Sequence, residues 1–163
     1  MSKLEDSVKT TLIEDLVTHH IESAKLPPLA AKIFSFILVN DRPDGFTFDE
    51  LVDTFHVSKS SVSTNLNLLV QYDFLIQFNK IGERKRRYKL TSQYLEIRLK
   101  KIRKDLIREK YLVEKLVQFH QDAHSTFHQD AVIKTSIYIE HLDYAIKNLT
   151  KTINKIDKIT HSI

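Results

Sequence analysis

The sequence predicts a mostly α-helical fold interrupted by one small β-hairpin, and three observations predict it. Only two Gly and three Pro occur among 163 residues, too few turn formers for a chain built of many short elements. Apolar residues recur at three- and four-residue spacing over most of the length. The exception is residues 74–90, where two short alternating runs, Phe74–Asn79 and Arg86–Leu90, flank a turn whose only glycine is Gly82.

Residues 4–22 carry Leu4, Val8, Leu12 and Leu16 on one stripe, with Ile13, Val17 and Ile21 beside it. The segment is acidic, so it is expected to pack on another element or on a partner subunit. Pro27-Pro28 opens a second helix, where proline is tolerated because first-turn N–H groups have no intrahelical partner. Ala31, Ile33, Phe34, Ile37 and Leu38 give that helix a buried character. Asn40 to Gly45 is a loop dense in turn formers. Thr47 and Glu50 then form a capping box that starts a short helix over roughly 48–56, with Leu51, Val52 and Phe55 inward.

A turn at His56-Val57 leads into a helix over 59–71, with Ser58 as its N-cap. Val62, Leu66, Leu69 and Val70 fall at i, i+4, i+7 and i+8, one face of a 3.6-residue period. Ser60, Ser61, Thr64 and Asn65 lie away from that stripe, and Lys59 occupies the first turn. A surface helix that needs only solubility usually carries Glu and Lys, which form helices better than Ser, Thr and Asn. A face of short hydroxyls and amides suits close approach to hydrogen-bonding edges, such as those of a DNA major groove. Leu68 fits poorly, lying nearer the polar face than the oily one. Two helices joined by a tight turn, the second polar outward, make a helix-turn-helix. The hairpin behind it holds six basic residues and one acidic residue between Lys80 and Lys89, which makes the unit a winged helix.

The predicted fold class is therefore mostly α, a winged helix-turn-helix with a two-stranded β wing and long C-terminal dimerisation helices. Lys59, Ser60, Ser61, Thr64 and Asn65 are expected at base edges, Asn65 suiting adenine and Thr64 a thymine methyl. Lys80, Arg84, Lys85, Arg86 and Arg87 are expected on phosphates or in the minor groove, where they would set affinity more than sequence preference. Charge distribution agrees. Residues 1–57 hold five Lys/Arg against ten Asp/Glu, residues 58–104 hold twelve against three, and residues 105–163 hold eight against eight. Such a local basic concentration is the electrostatic footprint of a nucleic-acid site.

These residues also carry a resemblance. Leu26-Pro27-Pro28 with Ala31-Lys32-Ile33-Phe34, then Phe46 to Leu51, Val57 to Leu66 and Gly82 to Tyr88 resemble the MarR superfamily. They are most similar to its GbsR-type branch of bacterial transcriptional regulators. The similarity covers residues 26–91, with the flanking helices alike in layout, and departs at Ser60, where family members often have glycine. It implies a homodimeric repressor or activator, a repressor being the first expectation, with one recognition helix per subunit in the major groove. Arg84 stands at the place of the family's wing arginine. The branch also includes a quaternary-ammonium effector, so the resemblance leaves room for a small-molecule ligand held by aromatic side chains such as Tyr111, Phe119, Phe127, Tyr138 or Tyr144.

Residues 92–163 contain no Gly or Pro and read as helix throughout. A straight helix of that length would run about 108 Å, so a break is expected between Gln121 and Thr126. Beyond it, Leu142, Ile146, Leu149, Ile153 and Ile156 keep a 3-4 spacing, a heptad seam expected to find its copy on a second chain. The organisation expected is a packing helix over 1–25, a winged helix-turn-helix over 26–91 and a dimerisation and effector region over 92–163. Near the break, His120, His124 and His128 recur at i, i+4 and i+8, a spacing able to chelate zinc or nickel. A helix break inside that stretch would scatter the rings, and no metal or other cofactor is expected.

No Cys is present, which suits a reducing cytosol and excludes thiolate metal sites. The charged start, Met1 to Asp6, is unlike a signal peptide, and no apolar run approaches the ~18 residues of a membrane span. The expected setting is cytoplasmic, with double-stranded DNA and a second copy of the chain as partners and no membrane. No nucleophile–base pattern, phosphate-binding Gly-rich loop or paired-carboxylate pocket stands out, so an enzyme is not expected. Two alternatives remain open at this stage: a metal- or ligand-responsive version of the same regulator, and a winged helix used for protein–protein contact.

Overall fold

The computed structural model describes residues 3–122 and 129–160. The chain divides into two compact units, Met1–Tyr94 and Leu95–Ile163. The first contains α1 (Lys3–Ala24), α2 (Pro28–Val39), β1 (Phe46–Thr47), α3 (Phe48–Phe55), α4 (Lys59–Gln71), β2 (Leu75–Phe78) and β3 (Arg87–Leu90). It is a winged helix-turn-helix.

Local chemistry explains most boundaries. Pro28 opens α2 at its first position. At α3 the Thr47 hydroxyl accepts from the Glu50 N–H at 3.2 Å, while the Thr47 N–H donates to the Glu50 carboxylate at 2.6 Å. The capping box expected from the sequence is thus complete. His56 ends α3 in a left-handed conformation, φ 51°, and Ser58 caps α4 by accepting from the Ser61 N–H.

The core is the meeting point of α2, α4 and the sheet. Ile33, Phe34, Ile37, Leu51, Val62, Leu66, Leu69, Leu75 and Tyr88 are all buried. Phe34 and Phe74 stack with centroids 5.1 Å apart, and Phe36 lies 5.2 Å from Phe46 and 5.6 Å from Phe55. The α1 helix packs along α2. There His20 is buried with its Nδ1 3.1 Å from the Ser35 hydroxyl and its ring 4.8 Å from Phe34. Val8 and Leu12, on the stripe expected to pack, remain exposed.

The sheet has three antiparallel strands in the order β1-β3-β2, one more than the two-stranded wing expected. Phe46 pairs with Tyr88 and Thr47 with Arg87. A strand of two residues is too short for alternation to reveal it in a sequence. On β2 the inward residue is Leu75, whereas Ile76 is exposed.

The second unit consists of α5 (Tyr94–Asp122) from Leu95 onward and α6 (Gln129–Thr160). Two helices replace one, as the length limit required. They run antiparallel. Lys110 meets Asp143 at 2.7 Å, Arg103 donates to the Thr150 hydroxyl at 3.5 Å, and the Tyr138 hydroxyl donates to the Glu109 carboxylate.

The seam expected to find its copy on a second chain is already partly covered within one. Leu142 and Ile153 are only 2% and 3% exposed within the single chain, and Ile146, Leu149 and Ile156 are half-buried. A heptad pattern marks a stripe as apolar without saying whether its cover comes from the same chain or another. The exposed apolar side chains include Leu112, Leu116 and Phe119 on α5, and Ile133 and Ile137 on α6. Among the described residues, no helix is long and apolar enough to cross a membrane.

Candidate nucleic-acid interface

The α4 helix is held from behind by α2, α3 and β2, so its orientation is set by the core. Opposite the buried Val62, Leu66 and Leu69 runs a ridge of Ser60, Thr64, Asn67 and Gln71, all exposed. At 100° per residue these four positions lie directly across from the buried three. The ridge carries hydroxyls and amides and no charge. Each group can donate and accept, which is the chemistry a base edge requires.

The five residues expected at base edges divide accordingly. Lys59, Ser60 and Thr64 are exposed. Ser61 and Asn65 are half-buried to one side of the ridge. Asn65 donates from Nδ2 to the Ser61 carbonyl at 2.8 Å, and the Ser61 hydroxyl sits 2.8 Å from that of Ser58. Asn67 and Gln71 were not singled out from the sequence. Taking the centre of the Val62–Leu66–Leu69 stripe and looking straight across it would have found both. Leu68, which fitted neither face, is half-buried.

The wing is braced at its base. Lys80 Nζ lies 2.7 Å from the Asp44 carboxylate, and Arg87 donates to the Asp44 carbonyl at 3.3 Å. Lys85 lies 3.8 Å from Asp49, and Arg87 Nε and Nη2 both reach Glu83 Oε2, at 3.2 and 3.1 Å. The hydrogen bond from Lys80 holds the Asp44 carboxyl below its ordinary value. Among the described residues Arg84 and Arg86 form no ion pair, and both side chains are exposed. Five expected basic residues thus separate into three already engaged by carboxylates and two, Arg84 and Arg86, open to an outside anion.

Behind the wing, Arg42 reaches Glu50 at 2.5 Å and lies 4.0 Å over the Phe46 ring. Burial alone would raise the Glu50 carboxyl. The Thr47 backbone N–H and the Arg42 guanidinium outweigh it and hold the group at about 2, against an ordinary 4.5. Tyr88 is pushed up by burial, with the nearby Arg86 charge acting the other way, and its hydroxyl donates to Gln77 at 3.3 Å.

Of the histidines weighed as metal ligands, His120 lies on α5 beside Phe119, while His124 and His128 fall outside the described residues. Among the described residues no group of His, Cys, Asp and Glu could hold a metal ion. Of the aromatics weighed for a ligand cage, Tyr111 already has Arg108 and Lys115 over its ring, at 5.5 and 5.2 Å. Phe119 and Tyr144 are exposed, Tyr138 is tied to Glu109, and Phe127 lies outside the described residues.

No family model and no curated protein matches the chain. The solved structures that resemble it include the following two. One is the crystal structure of a transcriptional regulator, 18% identical, with a TM-score of 0.63, covering 92% of this chain and 98% of its own. The other is TrmBL2, an archaeal chromatin protein whose structure shows a novel mode of DNA binding. It is 14% identical, with a TM-score of 0.48, covering 72% of this chain and 45% of its own. The first match extends the shared fold over nearly the whole chain: mostly helical, with a small three-stranded antiparallel sheet.

Proposed function

We propose that this protein is a sequence-specific DNA-binding transcriptional regulator, a repressor in the first instance, that lays α4 in the major groove and sets its wing against the phosphates or the minor groove. The observation that carries this reading is the uncharged ridge of Ser60, Thr64, Asn67 and Gln71 standing in the most basic stretch of the chain. Hydroxyls and amides read base edges, and Arg84 and Arg86 supply sequence-independent affinity. That a protein of the same fold is a transcriptional regulator accords with it. The resemblance of residues 26–91 to the GbsR-type branch of the MarR superfamily supports the same assignment.

We further propose a homodimer, with the second copy covering the outward apolar side chains of the helical unit. Leu112 and Leu116 line an open groove along α5 with Val113, Arg108 and Glu109, and Phe119 continues the row at i+7 from Leu112. A dimer would present two α4 helices to two half-sites. Selection of bound duplexes from a random-sequence library tests the reading. A recovered consensus with two related halves supports a sequence-reading dimer, and recovery of no consensus counts against base readout by α4.

A further inference from the structure

The tip of the wing carries an apolar side chain with nothing against it. Ile81 is 106% exposed, more than any other large hydrophobic residue described. Its position is set by a tight turn: the Glu83 N–H donates to the Lys80 carbonyl at 3.0 Å, and Gly82 adopts φ +83°. A hydrogen-bonded four-residue turn with positive φ at its third residue is a type II turn, for which glycine is the fitting residue there. Ile81 occupies the second position, at the apex. The turn needs no isoleucine at that place, since Pro or a polar residue serves it as well and costs no exposed apolar surface.

Its surroundings say what could receive it. Arg84 and Arg86 are exposed on the same hairpin, and Lys80 and Lys85 flank the tip. The hairpin base is fixed to the loop and helix behind it through Asp44 and Asp49, and Asn79 Nδ2 donates to the Arg84 and Lys85 carbonyls at 3.4 Å. An apolar point with two open guanidinium groups beside it, Arg84 and Arg86, mounted on a braced support, matches a surface that is anionic outside and apolar within. A DNA minor groove is such a surface: phosphates line its rims, and stacked bases lie at its floor. Proteins that enter it often push Phe, Leu, Ile, Met or Pro between base steps and bend the duplex.

We propose that Ile81 is a minor-groove wedge, inserted at a flexible pyrimidine–purine step while Arg84 and Arg86 engage the flanking phosphates. The proposal rests on the DNA-binding reading above and adds a second source of sequence preference, through the ease with which a step unstacks. Because Ile81 touches no other residue of the core, its substitution leaves the fold intact.

The test uses the full chain and a duplex of about 30 base pairs rich in T-A steps, dye-labelled at both ends so that bending raises energy transfer. Wild type should bind and bend it. Ile81→Ser should bind roughly tenfold more weakly with the bend lost and the slope of log affinity against log salt unchanged, while Ile81→Leu should retain both. Equal bending and affinity in wild type and Ile81→Ser would overturn the wedge and leave DNA binding standing, as would binding by wild type without any bend. Failure of wild type to bind any duplex would overturn the DNA-binding reading and the wedge with it. Ile81-dependent binding to vesicles of anionic lipid in that case would assign the tip to a membrane surface instead.

Discussion

Gly45 shows how a single backbone position ties the loop before α3 to the wing. Its φ is +59°, and a Cβ added there would come within 2.6 Å of the Tyr88 carbonyl oxygen on β3. Neither the conformation nor the neighbour can yield cheaply, so Gly45→Ala should destabilise the protein by about 2 kcal/mol, read from chemical denaturation. Glu50 gives a pH signature. Its folded value of about 2 lies below the ordinary 4.5, so its contribution is complete above about pH 4.5 and disappears as pH falls through 2. The stability gap between wild type and Glu50→Gln should therefore be widest at neutral pH and close between pH 4.5 and 2. A gap that widened on acidification would contradict the Thr47 and Arg42 contacts. In the proposed complex Arg84 sets affinity alone, so Arg84→Ala should weaken binding to every duplex and lower the salt slope by about one. Loss of sequence preference at an unchanged slope would remove it from the phosphates.

At the scale of elements, the caps and the buried stripes were legible because they are local. Ser58, the Thr47–Glu50 box and Pro28 act within one turn of sequence, and the oily stripe of α4 is a period that any reading recovers. Ser58→Ala should cost about 1 kcal/mol in thermal or denaturant unfolding, and would fray the end of α4 that bears Lys59 and Ser60. What was not legible depended on partners distant in sequence. The strand β1 exists only because β3 lies beside it. The engagement of Lys80, Lys85 and Arg87 by Asp44, Asp49 and Glu83 required the fold to place the two loops together. Asn65 looked as available as Thr64 until its amide was seen to lean back on Ser61.

For the whole molecule, the stripe of α6 was legible as apolar but its cover was not: Leu142 and Ile153 are buried within one chain, while Ile146, Leu149 and Ile156 are half-buried. The dimer proposal moves accordingly to the outward row on α5. Leu116→Glu with Phe119→Glu should give monomers by sedimentation with helix content unchanged, whereas Ile146→Glu with Leu149→Glu should lower the stability of the single chain. Dimers that survive the first pair would place the interface elsewhere. The proposed division of labour has α4 reading base edges while Arg84 and Arg86 of the wing supply affinity. Its most direct test is fluorescence anisotropy with the selected duplex and a scrambled duplex of equal composition, at two salt concentrations, for wild type and for Thr64→Ala with Asn67→Ala. Wild type should prefer the selected duplex by about a thousandfold, and the double variant should lose most of that preference at an unchanged salt slope. Equal affinity of wild type for both duplexes, or a double variant with preference intact, would contradict it.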